Sequence, residues 1–174
     1  RGSAFGNLGL PEQLGVEQVE NSLALNIKKI KSNLSDSDKK WVWVEDESRR
    51  IGNINLTEAF HRHLKSSPYI FLDIPFEVRL NTILRNYGQF PAERLEDSIM
   101  RIRKRMGNDQ NSLALRFLKE NDLKSCFDIL LNYYDKFYLK SSFLYERESL
   151  GIDLKSFSPD EIADQLIDMK KYFL

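Results

Sequence analysis

Lys39-Lys40-Trp41-Val42-Trp43-Val44-Glu45-Asp46-Glu47-Ser48-Arg49-Arg50-Ile51-Gly52 is the stretch on which the fold turns. Four large apolar residues stop abruptly at three carboxylates, a hydroxyl and two guanidiniums. An unbroken run rich in Val and Trp predicts a strand buried on both faces of a parallel sheet. Ligands in open α/β sheets bind outside the carboxyl ends of strands. Glu45, Asp46, Glu47, Ser48, Arg49 and Arg50 would then lie at such an edge. A carboxylate there can hold Mg²⁺, and an Arg can take a phosphate oxygen. The alternative is an ordinary strand followed by a solvated polar turn.

Working outward, Val16, Val19, Leu23, Ile27, Ile30 and Leu34 recur at spacings of three and four, which predicts a one-faced amphipathic helix. The Gly-rich stretch before it, residues 1–15, reads as loop. Asn55 to Lys65 read as helix, and Tyr69 to Ile74 as a second apolar strand with Asp73 near its end. Pro75 suits the first turn of the next helix, where its missing N–H costs nothing. Phe76, Leu80, Ile83, Leu84 and Tyr87 would face inward from it. Helix, strand, helix, strand, helix points to an α/β fold with parallel strands.

The second half reads as helical. Leu95, Ile99, Ile102 and Met106 form one stripe that ends at Gly107. Leu113 to Leu118 predict a shorter helix, and Leu123, Phe127, Leu130, Tyr134 and Phe137 a longer one. Ser142 to Arg147 alternate as a third strand would. Ser158-Pro159-Asp160-Glu161 is a capping box that opens a last helix lined by Ile162, Leu166, Met169 and Phe173.

The 174 residues suit one domain, 1–174, able to bury roughly 70% of its unfolded surface. The 26 basic and 26 acidic residues cancel, so local charge must identify any nucleic-acid face. One cysteine, Cys126, excludes an internal disulfide, a Cys-rich zinc site and a paired redox motif, and fits a reducing cytosol. No apolar run approaches the ~20 residues that span a bilayer. No signal peptide is recognisable, and the chain opens on Arg rather than Met, as a fragment would.

Charge clusters carry the remaining candidates. Arg101, Arg103, Lys104 and Arg105 crowd one helix, with Arg101 and Arg105 four apart on one face. They suit phosphates or RNA backbone, or simply a solvated face balanced by Glu93, Glu96 and Asp97. Lys28, Lys29 and Lys31 suit the polar side of an ordinary amphipathic helix. His61 and His63 are two apart and point in different directions on a helix, unlike zinc ligands. Cys126 sits among Leu123, Phe127 and Leu130 as a buried small hydrophobe would. In Tyr133-Tyr134-Asp135-Lys136-Phe137-Tyr138 some rings must be core, and the rest could stack on bases. No G-x-x-x-x-G-K-[ST] phosphate loop occurs. If the fold is that of a nucleoside-triphosphate domain, its first strand and phosphate loop lie before Arg1.

Taken together, the chain resembles the C-terminal part of tRNA 2-selenouridine synthase. The matching pieces are Arg1-Gly2-Ser3-Ala4-Phe5-Gly6, Val19-Glu20-Asn21 and the block Trp43 to Gly52. Asp73-Ile74-Pro75-Phe76-Glu77-Val78-Arg79, Arg105-Met106-Gly107 and Tyr133-Tyr134-Asp135 follow in the family's order. Met106 stands where Leu is usual. The resemblance implies a parallel-sheet, P-loop-like fragment with a mostly helical second half. It implies a part in replacing the sulfur of wobble 2-thiouridine by selenium, with selenophosphate and geranyl diphosphate as substrates and tRNA as partner. The family's rhodanese-like domain with its cysteine, and its phosphate loop, are not in this stretch, so alone it is expected to be inactive. Asp46 is then the candidate Mg²⁺ ligand. Glu45, Glu47, Ser48, Arg49 and Arg50 would lie near the phosphates. Arg1, Ser3, Arg101, Arg103 and Arg105 would touch phosphates or tRNA. Rival readings are a truncated P-loop small-molecule kinase and a non-catalytic RNA-binding or interaction module.

Overall fold

The computed structural model describes residues 3–32, 42–46, 48–142, 149–153 and 158–169. These contain seven helices and two small sheets. The chain divides into two compact units, Arg1–Lys65 and Ser66–Leu174.

In the first unit, α1 (Val16–Ser32) is the amphipathic helix its spacing predicts. The Gly15 N–H donates to Gln18 Oε1 at 3.2 Å, so the third helical residue reaches back to the cap. Glu17 in the first turn and Lys29 and Lys31 in the last suit the helix dipole. Val19, Leu23 and Ile27 form its half-buried stripe. β1 (Arg50–Ile51) and β2 (Ile54–Asn55) make an antiparallel hairpin with Arg50 opposite Asn55. Gly52 and Asn53 form its two-residue turn, and Gly52 supplies the positive φ of +62°. α2 (Glu58–Ser66) starts three residues later than the sequence predicts. Asn55 belongs to the hairpin, and Thr57 caps the helix through Oγ1 to the Phe60 N–H.

The hairpin corrects the opening expectation. Val42 to Asp46 form no strand, and Val42, Trp43 and Val44 are 36%, 53% and 48% exposed. Apolar β-branched composition favours a pleated surface, but a strand also needs a ladder partner. Among the described residues β1 pairs with β2 and β3 with β4, and the run joins neither sheet. Glu45, Asp46, Ser48, Arg49 and Arg50 therefore do not lie at the carboxyl end of a buried parallel strand. Trp41 is outside the described residues.

In the second unit, β3 (Tyr69–Asp73) pairs in parallel with β4 (Ser149–Asp153), with Tyr69 opposite Ser149 and Asp73 opposite Asp153. A parallel pair needs a long crossover. Here it runs through α3 (Phe76–Tyr87), α4 (Ala92–Met106), α5 (Asn108–Lys119) and α6 (Leu123–Ser142). Pro75 is the residue just before α3 rather than inside its first turn. α7 (Pro159–Met169) follows β4 and begins with Pro159, as the capping box predicts. The Glu161 N–H faces Ser158 Oγ at 3.4 Å. Ile162, Leu166 and Met169 of α7 pack with Ile70, Leu72, Ile74 and Ile152 on one face of the sheet.

The main core lies in the crossover. α5 packs against α4 and α6, and α6 against α3. Leu80, Leu95, Ile99, Ile102, Met106, Ala114, Leu118, Phe127, Leu130 and Leu131 are buried. Each large side chain fully removed from water contributes about 1.5–3 kcal/mol. Asn111 is buried among them because its Nδ2 donates to the Ile99 carbonyl at 2.8 Å, satisfying both groups. The architecture is thus mostly helical with a small parallel sheet, narrower than the α/β expectation. α5 begins at Asn108, five residues before Leu113. Of the expected third strand, Ser142 ends α6 and the rest lies outside the described residues. The strand that pairs with β3 starts at Ser149.

Candidate phosphate and RNA sites

The hairpin of the first unit is braced from a distance in sequence. Gln13 Nε2 donates to the Ile51 carbonyl at 2.9 Å, and Gln13 Oε1 accepts the Asn53 N–H at 2.9 Å. One amide thus holds both sides of the Gly52-Asn53 turn. Ser48 Oγ donates to the Arg50 carbonyl at 2.6 Å. Arg50 Nε donates to the Gly52 carbonyl at 3.1 Å, while Arg49 Nε reaches the Leu56 carbonyl at 3.4 Å. The Leu56 N–H donates to the Arg49 carbonyl at 2.8 Å. Both guanidiniums are exposed, with Nε turned back on the backbone. An arginine tied by Nε still offers its terminal N–H groups to an anion.

Asp46 is differently placed. Its Oδ1 accepts from Lys65 Nζ at 2.7 Å, in an ion pair whose side chains are only 24% and 15% exposed. Mg²⁺ is generally held by one or two carboxylates plus substrate phosphates. Among the described residues no group of three His, Cys, Asp or Glu side chains could hold a metal. A single carboxylate already neutralised by an ammonium fits Mg²⁺ poorly, and no step is assigned to the ion. Glu45 is exposed beside Asp46. Ser3 Oγ accepts the Gly6 N–H at 3.0 Å and so shapes its own turn. Arg1 and Glu47 lie outside the described residues.

In the second unit the basic run sits in the last turns of α4. Arg103 Nε donates to Asn108 Oδ1 at 3.0 Å, tying α4 to the start of α5. Arg101 and Arg105 are exposed, and among the described residues neither makes an ion pair or a hydrogen bond. Arg105 lies close enough to Tyr133 to offset part of the upward push that burial gives its phenol.

Sequence reasoning passed over one constellation as a site. Arg79 Nη1 and Nη2 donate to Asp135 Oδ1 and Oδ2 at 2.6 and 2.9 Å, and Arg79 Nε donates to the Ile74 carbonyl at 2.9 Å. The hydrogen-bonded Asp135 carboxylate holds the guanidinium pKa above its ordinary value, against the pull of burial. The charges of Asp135 and Asp73 add to the rise. The signal was present in Asp73-Ile74-Pro75-Phe76-Glu77-Val78-Arg79 and Tyr133-Tyr134-Asp135, two of the resembling blocks.

Comparison with known sequences decides the family. The sequence model of the tRNA 2-selenouridine synthase AAA domain matches residues 1–150. The chain belongs to this family. A tRNA 2-selenouridine synthase of Nitrosomonas eutropha is 42% identical over 88 residues, covering 50% of this chain and 21% of the relative. The synthase of Pseudomonas savastanoi pv. phaseolicola is 29% identical over 204 residues, covering 99% of this chain and 50% of its own. That of Bdellovibrio bacteriovorus is 40% identical over 87 residues, covering 50% of this chain and 22% of the relative. The chain spans half or less of the length of these curated relatives. No solved structure matches it. No helix among the described residues is long and apolar enough to cross a membrane.

Proposed function

We propose that this chain is part of a tRNA-modifying selenotransferase that converts wobble 2-thiouridine to 2-selenouridine, with selenophosphate as the selenium donor. The carrying observation is the family match over residues 1–150. The route has two steps. The sulfur of 2-thiouridine first takes the geranyl group of geranyl diphosphate and releases diphosphate. The selenium of selenophosphate then attacks the ring carbon that bears this sulfur and expels the sulfur as geranylthiol, and water cleaves the selenium–phosphorus bond to release phosphate and leave 2-selenouridine.

Within that reading Ser48, Arg49 and Arg50, where the chain enters the β1–β2 hairpin, receive the diphosphate or selenophosphate. The support is physical: two exposed guanidiniums at the base of a hairpin whose Gly52-Asn53 turn Gln13 holds from both sides. Planar, permanently charged donors suit phosphate oxygens better than lysines do. Glu45 and the Asp46–Lys65 pair border this site, and Lys65 rather than a metal balances Asp46. Arg101, Arg105 and, through its α5 link, Arg103 belong to the tRNA side. Arg1 and Ser3 are assigned to phosphate or tRNA contact by resemblance. Activity belongs to the complete polypeptide, with a rhodanese-like cysteine and a phosphate loop outside this stretch, acting on tRNA in the cytoplasm. The two compact units together would form the C-terminal portion of one P-loop-like domain.

The test is reconstitution. The complete polypeptide is incubated with 2-thiouridine-containing tRNA, geranyl diphosphate and selenophosphate, and the nucleosides are resolved by mass. Formation of 2-selenouridine, with geranylated thiouridine accumulating when selenophosphate is omitted, supports the proposal. Thiouridine left unchanged in every mixture ends it. ATP-dependent phosphoryl transfer to a small molecule would favour the kinase reading instead.

A further inference from the structure

We infer that the exposed aromatic face of α6, with the basic end of α4, is a docking surface for single-stranded RNA, its occupant being a loop of the tRNA substrate. The inference rests on the tRNA reading above and adds the surface that would grip it.

The core demand of α6 is met early in the helix. Cys126, Phe127, Leu130 and Leu131 are all buried. One to two turns later Tyr133, Tyr134, Phe137 and Tyr138 cover one side of the same helix, as spacings of one, three and four residues require. Phe137 and Tyr138 are each 52% exposed. The rings brace one another. Tyr133 and Tyr134 meet edge-on at 5.1 Å, Tyr134 and Tyr138 lie 6.5 Å apart, and Phe137 and Tyr138 meet edge-on at 6.3 Å. Such contacts restrict the rotamers of rings that still offer area to a ligand.

Charge selects the ligand. Arg105 stands near Tyr133 at one end of the aromatic row, and Arg101 lies one turn before it on α4. Both are exposed and without an ion pair among the described residues; Asp97, one turn before Arg101, forms none with it. Lys136 is exposed on α6. The carboxylate of this stretch, Asp135, is occupied by Arg79 in a bidentate pair and does not stand as a bare repulsive charge. A row of rings that starts within the field of Arg105 at Tyr133 and ends in the exposed Phe137 and Tyr138 suits a polyanion with flat faces. Unpaired bases stack on aromatic rings with little regard to sequence, while arginines take the phosphates.

The experiment measures binding of a labelled substrate tRNA to the complete polypeptide across a salt series. Phe137→Ala with Tyr138→Ala is expected to weaken binding about tenfold or more at an unchanged salt slope. The ring-preserving pair Phe137→Tyr with Tyr138→Phe should bind like the parent. Arg101→Gln with Arg105→Gln should weaken binding and lower the slope by about 1.4, roughly 0.7 per phosphate contact on a single strand. Thermal melts of each variant separate lost binding from lost fold. Parent-like affinity and slope in the alanine and glutamine variants would overturn the surface while leaving the tRNA reading intact. Failure of the unmutated polypeptide to bind tRNA would remove the functional reading itself. Unchanged RNA affinity with a shift in oligomeric state on ring removal would overturn the RNA assignment in favour of a protein contact.

Discussion

Arg79 and Asp135, 56 residues apart, meet in a two-bonded ion pair that ties the first half of α3 to α6. The third bond of Arg79, from Nε to the Ile74 carbonyl, anchors the same guanidinium just beyond β3. One side chain therefore joins the end of the strand, the helix that follows it and the last helix of the crossover. Its two partners lie in separate blocks of the sequence that resemble the synthase family. Asp135→Asn should destabilise the chain by about 1–2 kcal/mol, below the full worth of a charge-assisted pair because both side chains are about 30% exposed. Urea unfolding of both single variants and of the double variant with Arg79→Gln would measure the coupling. Fully additive losses would contradict the pair's role.

The junction of α4 and α5 depends on backbone freedom. Gly107 has φ +94° and ψ 151°, a region closed to L side chains, yet an added Cβ would meet nothing within 4 Å. Gly107→Ala should therefore cost about 1–3 kcal/mol through strain alone. A crystal structure of the variant should show either the strained dihedral or a shifted junction. Parent-like stability with an unmoved α5 would contradict this.

Asp122 caps α6. Its Oδ1 accepts the Ser125 N–H at 3.0 Å, and its carbonyl accepts the Cys126 N–H. Hydrogen bonding from Ser125 holds its carboxyl below the ordinary 3.8, with Lys124 adding to the effect. A lowered carboxyl stabilises the fold above its unfolded value and loses that contribution as pH falls through the folded value. The Tm difference between the parent and Asp122→Asn should be constant from pH 7 to 5 and shrink below about pH 4. A gap that stays constant down to pH 2 would contradict the cap's charge dependence.

Cys126 is 1% exposed, and burial, helped by the Asp122 charge, pushes its thiol up to about 11. The thiol stays protonated at neutral pH and has no access to reagent. Alkylation at pH 8 should be slow in the native protein and accelerate with urea in parallel with unfolding. Native labelling as fast as that of a free thiol would contradict the burial.

Arg49→Ala or Arg50→Ala should weaken diphosphate binding by the complete polypeptide about tenfold each, the worth of one charge-assisted contact. Glu45→Gln, at the border of the proposed site, should change it much less. Titration calorimetry with inorganic diphosphate reads both, and unchanged affinity in the arginine variants would take the hairpin out of the site.

Much of this was legible in the residues. The stripes Leu95-Ile99-Ile102-Met106 and Ile162-Leu166-Met169 marked α4 and α7 because a helix must repeat its buried face. Tyr69 to Asp73 was legible as a short apolar run before Pro75. Residues 42–44 were misread because apolar β-branched composition reports fitness for a sheet, not the presence of a neighbouring strand. The hairpin went unseen although Gly52-Asn53 is a two-residue turn signal, because its strands are too short to show alternation. Leu150-Gly151-Ile152 offered too little pattern to mark β4. The Arg79–Asp135 pair depends on α3 meeting α6, which no local pattern encodes. Exposure divided the aromatic run: Tyr133 and Tyr134 are half-buried, while Phe137 and Tyr138 face outward.

The most direct measurement is the nucleoside composition of tRNA from a strain lacking the gene that encodes this chain, grown with selenium and compared with its parent. The account predicts that 2-selenouridine disappears, that 2-thiouridine persists at the wobble position, and that the complete gene restores the selenium. Selenouridine at parental level in the deletion strain, with no second such gene present, would contradict it.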